Sequence, residues 1–99
     1  MQSLWRWGGE YFGYRDGEDL WTQDGRHVGK FNGDEVYGSD GCYLGELVND
    51  RLICNTSKRS WRSYSFAPYA GRVGYVAFAN YVGFAMYAGH EDFPAPEKL

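Results

Sequence analysis

Residues 19–34 read Asp19-Leu20-Trp21-Thr22-Gln23-Asp24-Gly25-Arg26-His27-Val28-Gly29-Lys30-Phe31-Asn32-Gly33-Asp34, and their reading decides the fold. Asp19–Thr22 has the make-up of a short strand, and His27–Phe31 that of a returning one. Between them Asp24-Gly25 is a turn signal, its glycine supplying the positive φ that a tight hairpin needs. Asn32-Gly33-Asp34 then turns the chain again. Taken as a two-residue loop, Asp24-Gly25 sets Trp21 opposite Val28 and Leu20 opposite Gly29. Trp21 and Val28 share one face and Leu20 and Phe31 the other, so the hairpin is apolar on both sides. A glycine within a strand marks a bend or a close neighbour, so a side chain is expected to lie over Gly29.

Outward from this stretch the pattern recurs every sixteen residues without a gap. Leu4, Leu20, Val36 and Leu52 share one column; Trp5, Trp21, Tyr37 and Ile53 share the next. Gly9, Gly25 and Gly41 mark the turns, and Gly13, Gly29 and Gly45 follow Phe12, Val28 and Leu44. The expected repeats are about 4–19, 20–35, 36–51 and 52–67, the last without either glycine column, since Ser57 and Trp61 stand there. Four short hairpins with two apolar faces cannot rest as a flat sheet. Closure about an axis buries one face and reduces exposed edges. The expected fold is all-β: four hairpins around a pseudo-four-fold axis in a shallow, flower-like barrel over residues 1–67.

From Pro68 the period becomes three. Tyr69, Arg72, Tyr75, Phe78, Tyr81, Phe84, Tyr87, His90 and Phe93 form one column, beside a column that is mostly glycine, alanine or asparagine. An α-helix smears a three-residue period around its axis and a strand sends alternate members to opposite faces. A polyproline-like helix keeps them in one stripe. Residues 68–94 are therefore expected to be extended or polyproline-like, with β-structure and an apolar helix as alternatives, and 95–99 a loose end. The stripe Tyr75, Phe78, Tyr81, Phe84 and Tyr87 is too apolar to be left in water, so it is expected to dock on the hairpin domain or on the same segment of another chain. At 3.1 Å per residue the segment reaches about 84 Å, against a radius of gyration of about 11 Å for 65 residues. Self-association through 68–94 is thus the expected mode.

Ninety-nine residues make one domain, 19% of it aromatic, with fourteen glycines and a net charge of −3. That composition excludes a multidomain enzyme, a basic nucleic-acid-binding module and a disordered chain. Cys42 and Cys54 have no metal-ligand spacing and read as thiols of a cytoplasmic protein, their bonding left open. No signal peptide opens the sequence. Residues 73–89 carry no charge, yet seventeen residues of helix span only about 26 Å, short of the roughly 30 Å of a bilayer core.

Chemistry-bearing patterns are sparse. His27 with Cys42 is the one pair resembling a base and a nucleophile, but its column also holds Tyr11, Tyr43 and Arg59, as a partly exposed strand position would. The recurring Asp24, Asp34, Asp40 and Asp50 are turn formers. No catalytic residue, metal site or cofactor is expected. The candidate ligand-binding set is Trp5, Trp21 and Tyr37, together with Lys58, Arg59, Trp61 and Arg62, where basic residues around a tryptophan suit an anionic headgroup. A solvated, charge-protected strand edge is the plainer alternative for that cluster.

Leu4-Trp5, the Asp-Gly turns at 24–25 and 40–41, Val28-Gly29, Leu44-Gly45, the triplet tail and Gly89-His90-Glu91-Asp92-Phe93 together resemble the bacterial four-fold beta flower family. The resemblance covers nearly the whole chain. It implies short hairpins about a central axis and carries no established activity. That architecture has been likened to the tubby C-terminal and phospholipid-scramblase group, which implies lipid contact by analogy of fold. The tail here departs from the basic, proline-rich triplets of similar proteins. The functional expectation is a non-catalytic binding module, holding an apolar ligand, lipid or peptide on its axial face or tail, in the cytoplasm or at the periphery of a membrane. The alternative is a homo-oligomeric assembly protein; an enzyme comes third.

Overall fold

The computed structural model describes all 99 residues. Seven strands follow in chain order, each antiparallel to the next: β1 (Gln2–Arg6), β2 (Tyr11–Asp16), β3 (Asp19–Thr22), β4 (His27–Asn32), β5 (Glu35–Tyr37), β6 (Tyr43–Val48) and β7 (Arg51–Asn55). β1 pairs in parallel with β7 through Trp5 with Arg51 and Arg6 with Leu52, which closes a seven-stranded barrel. A further strand, β8 (His90–Asp92), runs antiparallel along the rest of that edge of β7, opposite Ile53, Cys54 and Asn55. No helix is long and apolar enough to cross a membrane.

The turns explain the register. Thr22 N–H donates to the Arg26 carbonyl and Gly25 N–H to the Thr22 carbonyl, so Gln23-Asp24-Gly25 is a three-residue loop, not the expected two. Arg6 with Glu10 and Gly38 with Cys42 make the same arrangement. In such loops a turn is completed by a glycine at positive φ, and φ is +102° at Gly9, +90° at Gly25 and +84° at Gly41. The extra residue shifts the ladder at Leu4/Trp5, Leu20/Trp21 and Val36/Tyr37. Leu20 does face Gly29, but Trp21 faces His27, and Val28 falls in the irregularity rather than opposite the indole. The intervening turns are two-residue loops that place Gly17, Gly33 and Asn49 at positive φ.

The strand glycines make room for neighbours. A Cβ on Gly29 would stand 2.8 Å from Val36 Cγ2, and one on Gly45 2.5 Å from the Phe93 ring. At Gly13 the obstacle is the β3 backbone instead. Leu4, Leu20, Val36 and Leu52 are wholly buried and fill the barrel with Phe12, Phe31 and Phe93. Burying each such side chain contributes about 1.5–3 kcal/mol.

The last third differs most from expectation. Residues 60–67 form no hairpin with β7; that stretch contributes only an isolated bridge between Arg62 and Cys42. Without a turn glycine the chain leaves β7 through a 3₁₀ turn, Thr56–Lys58, and the strand that returns along β7 is β8, more than thirty residues later. The intervening segment, without regular secondary structure, is a strap around the barrel. It passes the three glycine loops in reverse order: Ser63 N–H donates to the Gly41 carbonyl, Arg72 to Gly25 and Tyr81 to Gly9. Nine strap residues, three triplets, thus match sixteen of the barrel. A strap longer than the barrel's radius does not require a second copy, because it can run around the barrel. The body measures 36 × 33 × 21 Å, and a circuit of about 84 Å is of the order of its girth. Nor is 95–99 loose: Arg26 donates to the Leu99 and Pro96 carbonyls at 2.7 and 2.9 Å, and Leu99 packs on the core.

Candidate functional site

Outside the aliphatic core lies a second, aromatic layer, built where the strand columns meet the strap. The register pairs Trp5 with Tyr11, Trp21 with His27 and Tyr37 with Tyr43 across neighbouring strands. All six are buried. Trp5 stacks on Tyr81 with centroids 3.8 Å apart and gives its indole N–H to the Ala79 carbonyl at 2.9 Å. Trp21, only 1% exposed, carries the Arg72 guanidinium over its ring at 3.9 Å, and Arg72 also pairs with Asp16 at 2.9 Å. Stacking of this kind is worth roughly 0.5–1.5 kcal/mol per pair beyond area burial. The Tyr75 hydroxyl meets that of Tyr11, and burial first, then this bond, pushes Tyr75 above the usual tyrosine range. Phe84 and Tyr87 pack on Trp7, and Phe78 on Tyr11. The aromatic stripe Tyr75, Phe78, Tyr81, Phe84 and Tyr87 therefore faces this chain's own barrel. The strap occupies the place beside Trp5 and Trp21 where a ligand was expected, and the Leu4 column fills the barrel interior.

His27 is buried, not partly exposed. Its Nδ1 accepts the Tyr69 N–H at 3.0 Å, so Nε2 carries the proton; Nε2 lies 2.9 Å from Asp19 Oδ1 but is not aligned for a hydrogen bond to it. The ring lies between Trp21 and Tyr69, at 5.0 and 4.9 Å. Through the Tyr69 N–H bond and the ring stack it is a fastening for the strap, and no hydrogen bond joins it to Cys42. The Asp40 side chain, and then burial, pushes the Cys42 thiol up; burial does the same to Cys54. Both thiols are free, and both are poorly suited to nucleophilic chemistry at neutral pH. No three His, Cys, Asp or Glu side chains gather as a metal site would require.

The basic cluster is largely neutralised. Lys58 lies 3.3 Å from Glu46, 3.7 Å from Glu35 and 4.6 Å over Trp61, while Arg59 meets Glu91 at 2.7 Å. Arg62 donates to the Arg59 and Trp61 carbonyls. Arg51 is not part of this cluster; it lies in the barrel closure beneath the strap. Gly9, Gly25 and Gly41 serve as the strap's docking points as well as turns.

Three open clefts border the strap, the smallest beside Ser63–Phe66. One of about 640 Å³ lies between β4, the Gly38–Asp40 loop, Tyr69 and Leu99. Another, of about 400 Å³, lies between Val48–Arg51, Trp7 and strap residues Phe84, Ala85 and Tyr87. Sequence reasoning missed Trp7 and the role of Arg72, though Tyr11, His27 and Tyr43 already shared one column. The outward side of the strap is apolar: Val73 is 94%, Val76 88% and Val82 86% exposed. No family model, no curated protein and no solved structure matches the chain.

Proposed function

We propose that this chain is a non-catalytic binding module of the beta-flower type, and that the outward column of the strap is its contact surface. The carrying observation is the exposure of Val73, Val76 and Val82 in a run without charge from 73 to 89. Contiguous apolar surface on a small protein marks an interaction site. The N–H groups of these valines find no acceptor within the chain, which suits an extended apolar peptide laid beside the strap. In this reading three hairpins and the β7–β8 pair stand about a pseudo-four-fold axis, with Leu4, Leu20, Val36 and Leu52 as equivalents at its centre. The module acts in the cytoplasm or against a membrane surface, and it carries out no chemical step.

A second reading, homo-oligomeric assembly, is favoured by the same unpaired N–H groups, since the strap of another copy offers matching carbonyls. Light scattering and liposome flotation of the wild type and of Val73→Ser/Val76→Ser/Val82→Ser separate the readings. A larger species dispersed by the triple variant supports assembly. A monomer that floats with lipid or retains an apolar peptide, and loses this in the variant, supports the binding module. A monomer that binds neither, and behaves as the variant does, overturns both.

A further inference from the structure

We propose that the 400 Å³ cleft between the β6–β7 turn and strap residues 84–87 binds a small organic monocarboxylate with an aromatic or branched apolar body. Arg51 is only 5% exposed, yet it pairs with no carboxylate. Its guanidinium donates to the Trp7 carbonyl at 3.2 Å and the Val82 carbonyl at 2.9 Å. Phe84 and Tyr81 lie under it at 4.0 and 5.0 Å. A buried guanidinium normally has an anion within reach, because desolvation is otherwise uncompensated. The sixteen-residue spacing sharpens the point. Asp19 and Glu35 occupy the same column, and each has a basic side chain beside it, the His27 imidazole at 2.9 Å and Lys58 at 3.7 Å. At Arg51 the opposite charge is missing, and that residue lines the cleft.

The rest of the cleft defines the ligand. Trp7, Phe84, Tyr87 and Val48 give it apolar walls, and its volume lies at the lower end of the roughly 300–1,000 Å³ usual for small-molecule sites. A planar guanidinium fork matches carboxylate geometry. Asp50 and Asn49 complete the lining. The Asp50 carboxylate, in the same lining but in no ion pair with Arg51, disfavours a dianionic phosphate and leaves a monoanion. This inference does not depend on the exposed valine column.

The test is a ¹H–¹⁵N NMR titration of the full chain with indole-3-acetate and with the neutral indole-3-acetamide. The acid is expected to shift the Trp7 indole N–H and the Arg51 and Ala85 amides in a saturable way. The amide should bind at least tenfold more weakly. Arg51→Lys, which keeps the charge and loses the fork, should weaken the acid at least tenfold. Should that variant fail to fold, Tyr87→Ala, at a half-exposed wall, should weaken acid and amide alike. Equal affinity for acid and amide, shifts centred on Trp61 instead of Trp7, or no saturable shift at the solubility limit of the acid would each overturn the proposal.

Discussion

Replacing Gly25 with alanine perturbs the barrel turn and the strap together, and Gly33 provides the control. Both glycines have positive φ, +90° and +64°. A Cβ at Gly33 meets nothing within 4 Å, whereas one at Gly25 runs into the Arg72 carbonyl. Gly33→Ala therefore suffers backbone strain alone, about 1–2 kcal/mol. Gly25→Ala suffers similar strain and must also push the strap away, weakening the 2.7 Å bond from Arg72 N–H to the Gly25 carbonyl. One such bond is worth about 0.5–1.5 kcal/mol, and the Arg72–Trp21 contact moves with it. The expected excess of Gly25→Ala over Gly33→Ala is thus about 1–3 kcal/mol. For a chain of this size about 1 kcal/mol shifts Tm by 4–8 °C, so calorimetry resolves the two variants. Equal loss of stability in both would refute the close approach of strap and loop, however large the loss.

His27→Phe keeps the stack between Trp21 and Tyr69 but orphans the Tyr69 N–H; urea unfolding should show a loss of about 1–3 kcal/mol, and an unchanged midpoint would contradict the fastening role. The Thr22 hydroxyl holds the Asp24 carboxyl below its ordinary 3.8, and the Cys42 backbone N–H does the same for Asp40. A depressed folded pKa stabilises above the unfolded value and that contribution fades as pH falls through the folded one, so Asp24→Asn/Asp40→Asn should lose less stability than wild type on acidification below pH 3.8; parallel pH profiles would contradict it. Iodoacetamide at pH 8 should label Cys54 only on unfolding, and rapid labelling in the native protein would place that thiol at the surface.

The sixteen-residue period carried the barrel core because Leu4, Leu20, Val36 and Leu52 meet one another through local turns. The loop length was read wrongly by one residue: Asp24-Gly25 is a strong two-residue signal, and only the Thr22–Arg26 pairing reveals that Gln23 belongs to the loop. The β7–β8 pair was hidden because its two strands are separated by the entire strap, and Ser57 and Trp61 said only that a hairpin was failing, not what replaced it. The triplet column announced one apolar stripe. Its destination was not written locally, since Trp5 and Trp21 looked equally ready for a foreign ligand. Arg51, seven residues before Lys58 in sequence, lies in the barrel closure instead of the basic cluster.

Residue-resolved amide hydrogen exchange tests most directly whether the strap is fastened to its own barrel. Ser63, Arg72 and Tyr81 give their N–H groups to the Gly41, Gly25 and Gly9 carbonyls, while Val73, Val76 and Val82 have no acceptor. In the monomer at low concentration, slow exchange is expected at 63, 72 and 81, and fast exchange at 73, 76 and 82. Uniform exchange at the rate of an unfolded peptide from 63 to 84 would contradict the account.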